Sequence, residues 1–284
     1  IVCKFDKLGK MAANTEPTTR TMTEQNLTKE ITASSVIIGE SLQTVINEPS
    51  DLPISAVQRA TTMIAAAAEL QPLPKYLAIE GPIGVGKTTL ARKLADVFTY
   101  PLMLEPATEN PFLDRFYAEG ASQALPTQLF FLLHRARQVA DMPGNDLLDR
   151  SLVADFMMEK DELFAKLTLD TEEFLLYQQI QNNLKIQPPV PDLVIYLQAP
   201  AKTLQGRVLQ RGNDFEQSIE LDYLDALNDS YTEFFHYYEQ APLLIVNASE
   251  VDFANNDEHF LALLEQILCM EGTRQFYNPN PTLI

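Results

Sequence analysis

The 284-residue chain is 46% hydrophobic and 21% charged, enough apolar content for one large domain or two small ones. A formal net charge of −18 and an isoelectric point near 4.5 argue against a nucleic-acid or anionic-membrane partner. No run approaches the roughly 18 apolar residues of a membrane helix, the start lacks a signal-peptide pattern, and Cys3 and Cys269 are too few and too far apart for a disulfide framework or a zinc site; each reads as a thiol, and a cytoplasmic location is expected.

In chain order, residues 1–50 are rich in Thr, Ser, Asn and Glu without core periodicity, which predicts a poorly ordered N-terminal extension. The chain opens on Ile1, and Met11 and Met22 are candidate starts. Residues 51–74 read as a helix and linker: Ser50 or Asp51 caps, Pro53 suits the first turn, and Ile54, Val57, Ile64 and Ala67 form an apolar stripe that packs on the domain. The domain spans 75–284. Strand-like runs at 76–80, 101–105, 151–155, 192–198 and 243–247 alternate with helical patterns near 88–98, 111–118, 125–141, 157–167, 171–186, 201–210, 220–239 and 256–270. Short continuous apolar runs separated by helices predict an α/β fold, a five-stranded parallel sheet covered by helices on both faces.

The first strand leads into GPIGVGKTT, residues 81–89. Gly81, Gly86, Lys87 and Thr88 satisfy G-x-x-x-x-G-K-[ST]. In that setting Gly81, Pro82, Ile83, Gly84, Val85 and Gly86 curl backbone N–H groups around a phosphate, and the helix from Thr89 adds the positive end of its dipole. Lys87 reaches the outer phosphates and the Thr88 hydroxyl ligates Mg²⁺. This makes a P-loop, and ATP the expected cofactor. A GTPase is excluded: LLIVNASEVD carries Ala248 where a guanine-reading lysine would stand, and no D-x-x-G follows the second strand. That strand ends at Glu105 instead, a carboxylate at the carboxyl end of a strand and so near the phosphates, placed to orient or deprotonate an incoming hydroxyl.

Five blocks in order, IEGPIGVGKTTLARKLA, LEPATENPFLDRFYAE, TQLFFLLHRARQ, MMEKDELFAKLTL and RVLQRGNDFEQSIELDYLDALNDSY, resemble the deoxyribonucleoside kinases over about residues 75–250, most of all the bacterial deoxyadenosine and deoxyguanosine branch. The resemblance implies that Glu105 accepts the proton of the nucleoside 5′-hydroxyl, that Tyr117 and Glu216 bind the 3′-hydroxyl, and that Gln128 reads the base. Gln128, Phe131, Leu132 and Arg135 fall at i, i+3, i+4 and i+7, so one helix face carries an amide, two apolar walls and a cation; such a face is core or pocket, and its polar ends favour a base pocket. Ala136 and Ala140 near it would leave room for a two-ring base. QRGNDFEQSI resembles the lid over ATP, with Arg207 and Arg211 one turn apart and aimed at the phosphates; Asn213 stands where the family often has a second arginine.

The family's E/D-R-S signature has a literal match at residues 149–151, but the apolar strand follows it, which puts Arg150 at the amino end of that strand. Counting back from LFA at 163–165 places the signature carboxylate at Asp155. Asp155 is therefore the expected group near Mg²⁺, Lys160 the substitute cation, Arg150 the alternative to it, and Asp161 a partner for Arg135 at the base. The expected function is transfer of the ATP γ-phosphoryl to a deoxyribonucleoside, purine preferred. The rivals are a thymidylate-type monophosphate kinase, which needs cations for its acceptor's phosphate, and a catalytically dead nucleotide-binding regulator. The resemblance also implies a homodimer and feedback inhibition by a deoxynucleoside triphosphate.

Overall fold

The computed structural model describes residues 54–142, 151–253 and 255–279; the expected extension and Arg150 lie outside them. Its centre is β1 (Tyr76–Glu80), in which every residue is buried. β1 pairs in parallel with β3 (Leu152–Ala154) on one side and β4 (Leu193–Gln198) on the other. β2 (Leu102–Met103) lies outside β3, and β5 (Leu243–Asn247) and β6 (Arg274–Tyr277) extend the sheet beyond β4, in the order β2-β3-β1-β4-β5-β6. The run-on apolar composition of β1, β4 and β5 has its reason here: Ala78, Val194 and Tyr196 pack with Tyr231 and Phe235 on one face, while the alternate residues Leu77, Ile79 and Ile195 are equally shut off from water. A parallel sheet of this kind is covered on both sides.

The helices are α1 (Ile54–Ala68), α2 (Lys87–Phe98), α3 (Leu113–Glu119), α4 (Ala124–Ala140), α5 (Lys160–Thr168), α6 (Thr171–Leu184), α7 (Ala201–Arg211), α8 (Leu221–His236) and α9 (Asp257–Leu268). Two corrections to the sequence reading concern the sheet. The sheet has six strands: β6 escaped because Arg274-Gln275-Phe276-Tyr277 is a short edge strand, alternately exposed and half-buried, with no apolar run to announce it. β2 is two residues long, flanked by Pro101 and a chain that turns at Pro106. α1 packs on α9 and α2 with Ala56, Ala60 and Ala67 buried and Val57 and Ile64 of the expected stripe half-buried beside them, and with Arg59 paired to Glu258.

Parallel pairing brings all the carboxyl ends to one edge of the sheet. The P-loop follows β1, Glu105 follows β2, Asp155 follows β3 and the 248–256 loop follows β5, so chemistry spread over 170 positions of sequence converges there. Gly81 makes the first turn possible: its φ is 146°, and a Cβ would sit 2.5 Å from the Leu197 carbonyl oxygen of β4.

Candidate active site

The P-loop closes on itself. Gly86, at φ 105°, is the N-cap of α2, so the helix begins with its free N–H groups facing the loop, an arrangement suited to an anion. Lys87 Nζ donates to the carbonyls of Gly81 at 2.7 Å and Pro82 at 3.1 Å. Burial, followed by the neighbouring Lys160, pushes the Lys87 ammonium down to about 7, against the pull of Glu80 and Asp155; phosphate oxygens in the cradle would draw its proton back.

Asp155 joins the loop to the next strand. One of its carboxylate oxygens accepts the Thr88 hydroxyl at 2.6 Å and the other accepts the Glu105 backbone N–H at 2.8 Å. Burial raises its pKa; the Thr88 hydrogen bond and the cations Lys160, Lys87 and Arg135 oppose this. Among the described residues no three carboxylates, histidines or cysteines cluster to cage a metal. A hydroxyl and one carboxylate side by side are the hard oxygen pair with which Mg²⁺ is held when phosphates and water supply its other ligands, so Thr88 and Asp155 fit that ion.

Glu105 sits between two cations. Arg135 of α4 pairs with one of its oxygens and Lys160 Nζ is 2.7 Å from the other. Arg135 pairs also with Asp161, which is fully buried. The guanidinium lies over the rings of Phe131 and Phe156, at 5.3 and 5.6 Å, and the Lys160 ammonium 5.4 Å from the Phe164 ring. Removing one member of a buried ion pair costs about 3–5 kcal/mol because the other is left uncompensated, so these four charges depend on one another. Burial pushes Lys160 down to about 8, with Glu80 and Asp155 pulling upward and Arg135 adding to the fall.

The lid side is tied to the same edge. Glu216, 8% exposed, accepts from Arg211 and, at 2.9 Å, from Asn213 Nδ2. Asn213 thus anchors the lid carboxylate where a second arginine is commonly found. Burial, helped by the neighbouring Tyr223 and Glu216 and opposed by Arg211, holds the hydroxyl of Tyr117 on α3 well above the ordinary range. Gln128 is buried on α4 and its amide nitrogen reaches Thr168.

Three expected placements differ. Arg207 spends its guanidinium on backbone carbonyls, those of Ala248 at 2.7 Å and Val251 at 3.1 Å and, more distantly, Ser249 and the P-loop residue Val85, so it ties the loop after β5 to the P-loop. Leu132 is fully buried with Met158, Ala165 and Tyr177, and Ala140 is exposed at the end of α4. At about 100° per residue, position 135 returns to within about 20° of 128, whereas 132 is about 40° and 140 about 120° away. Two contributors were missed. Glu80, 1% exposed, accepts from Met157 N at 2.7 Å and from Gly81 N and the Tyr231 hydroxyl at 3.0 Å each; a carboxylate ending a buried apolar strand was the available signal. Phe156 as a wall for Arg135 had none.

A phosphate cradle, an oxygen pair for Mg²⁺, and a carboxylate at the neighbouring strand end define a P-loop phosphotransferase. The description "deoxynucleoside kinase" matches residues 77–270. A deoxyguanosine kinase of Bacillus subtilis (strain 168) is 35% identical over 190 residues, covering 65% of this chain and 92% of its own length. A deoxyadenosine/deoxycytidine kinase of the same organism is 25% identical over 206 residues, 69% of this chain and 93% of its own. The structure of a deoxyadenosine kinase from M. mycoides with bound dATP superimposes with a TM-score of 0.58 at 25% identity, covering 67% of this chain and 98% of that one. The chain belongs to the deoxynucleoside kinase family.

Two outcomes follow from this geometry. Glu105→Gln should lower kcat by roughly 10²–10⁴-fold with ATP affinity nearly intact, as read by steady-state kinetics and nucleotide titration; activity within a few-fold of the parent would remove Glu105 from the chemistry. At saturating ATP, whose phosphates keep Lys87 protonated, Lys160 loses its charge as pH rises through about 8, so kcat/KM for the nucleoside should fall on the alkaline side. Lys160→Arg, whose guanidinium keeps its proton, should move that limb upward by at least about one pH unit; an unmoved limb assigns it to another group.

Proposed function

We propose that the protein transfers the γ-phosphoryl group of ATP to the 5′-hydroxyl of a purine deoxyribonucleoside. The observation that carries this reading is Glu105, held between Arg135 and Lys160 and tied through Asp155 to the P-loop threonine. The nucleoside sugar fits between Glu105 and the Tyr117–Glu216 pair, with the base along Gln128, Phe131 and Arg135. The 5′-hydroxyl then donates to Glu105, which aligns the oxygen and takes its proton as the bond to phosphorus forms. The ATP phosphates occupy the loop 81–87 and the start of α2, where Lys87 and the helix N-terminus stabilise charge that grows on the transferring oxygens. Thr88 and Asp155 would hold Mg²⁺, which would supply further neutralisation. Arg211 closes from the lid, passing from Glu216 to the phosphates, while Lys160 remains at the acceptor end.

A homodimer, formed through helices beside the sheet, belongs to the same proposal. A cytoplasmic setting suits the ATP requirement, and among the described residues no helix is long and apolar enough to cross a membrane. Against a monophosphate acceptor stands the stretch from Glu105 to Glu119, whose single cation is Arg115, stacked over the Phe112 ring at 5.6 Å.

A coupled ADP-release assay decides the acceptor. Deoxyadenosine or deoxyguanosine should lead the four natural deoxynucleosides in kcat/KM, with deoxynucleoside monophosphates inert. A lead for thymidine or deoxycytidine would overturn the purine assignment, turnover of a monophosphate the acceptor class, and no turnover at all the enzyme itself.

A further inference from the structure

The amide of Gln128 is held from behind. Its Nε2 donates to Thr168 Oγ1 at 3.1 Å, and the Thr168 hydroxyl donates to the Phe164 carbonyl oxygen, one turn earlier in α5, at 2.8 Å. A hydroxyl has a single proton and two lone pairs. With the proton given to the helix carbonyl, Thr168 offers its lone pairs, and the amide presents nitrogen to it. The flipped amide would be satisfied only by turning the Thr168 hydroxyl away from the Phe164 carbonyl, giving up that bond to the helix beside a residue only 4% exposed. The two ends of a glutamine amide are close to interchangeable in shape; here an α-helix carbonyl decides between them.

That choice matters for a base. Along the edge that pairs with an amide, adenine presents an amine donor and then a ring-nitrogen acceptor, whereas guanine presents a carbonyl acceptor and then an N–H donor. Cytosine follows adenine's order and thymine follows guanine's. For a base seated in one pose, an amide in one orientation matches the first pair and the flipped amide matches the second. A freely turning Gln128 would serve both.

We propose that Thr168 is a specificity-determining positioning residue: by accepting from Gln128 Nε2 while its own proton is spent on Phe164, it fixes the amide and makes the pocket choose between the amino-type bases, adenine and cytosine, and the oxo-type bases, guanine and thymine. The inference rests on the reading that Gln128 faces the nucleobase. Thr168 need not touch substrate; it acts through Gln128.

The test compares Thr168→Val, Thr168→Ser, Thr168→Ala and Gln128→Ala with deoxyadenosine and deoxyguanosine as acceptors. Valine keeps the shape and removes the acceptor; alanine is the second variant should valine not fold. In Thr168→Val the ratio of the two kcat/KM values should fall toward unity by about tenfold, the equivalent of one neutral hydrogen bond. The change should lie in the nucleoside KM, with the KM for ATP unmoved and kcat within a few-fold. Thr168→Ser should restore the ratio, which a packing role would not. Gln128→Ala should raise both nucleoside KM values. An unchanged ratio in Thr168→Val and Thr168→Ala, with Gln128→Ala impaired, overturns the lock and leaves the base pocket standing. If Gln128→Ala leaves both KM values unmoved, the base pocket itself is refuted and the lock with it.

Discussion

The proposed site is organised around the Asp155 carboxylate, which takes the Thr88 hydroxyl on one oxygen and the Glu105 backbone N–H on the other. Those two bonds fix the P-loop and Glu105, the proposed acceptor of the hydroxyl proton, relative to each other. They are possible because β3 lies between β1 and β2 in a parallel sheet, so that the residue just past its end faces the loops of both neighbours. A phosphoryl transferase performs little covalent chemistry with its own side chains; alignment of donor and acceptor is most of its work. A single buried carboxylate bridging the two sides sets that alignment directly.

The surrounding charges constrain one another. Lys87, Arg135 and Lys160 share a water-poor region with Glu80, Glu105, Asp155 and Asp161. Isolated, each would be expensive to bury. Together they neutralise and orient each other, and Glu80 does so without a cation in its hydrogen-bonding shell: its oxygens are taken by Met157 N, Gly81 N and the Tyr231 hydroxyl, while its charge favours protonation of all three cations. The aromatic rings of Phe131, Phe156 and Phe164 complete the enclosure. The site is therefore ordered before substrate arrives, except on the lid, where Arg211 is half-exposed and spends its guanidinium on Glu216.

Features that depend on a few consecutive residues were legible in the sequence. The P-loop is one, and the parallel sheet with carboxylates at its strand ends is another, because a continuous apolar run bounded by helices admits few alternatives. The face of α4 was half legible: Gln128 and Arg135 come back into line after two turns, but Leu132 drifts into the core and Ala140 to the surface. What escaped depends on tertiary placement. The Lys160–Glu105 contact joins residues 55 positions apart, and Arg207, on the same helix face as Arg211, finds backbone carbonyls of a loop about 40 residues away. β6 has no pattern of its own and is strand only because β5 offers it an edge.

The central claim is that Glu105, released from part of its ionic cage, receives the acceptor hydroxyl. A crystal structure of the protein with a deoxynucleoside and a non-hydrolysable ATP analogue tests it most directly. The account predicts the 5′-oxygen within about 2.6–3.2 Å of a Glu105 oxygen, the terminal phosphate over Lys87, and Asp155 still bonded to the Glu105 backbone. A nucleoside bound away from Glu105, with both Arg135 and Lys160 still closed on that carboxylate, would contradict it.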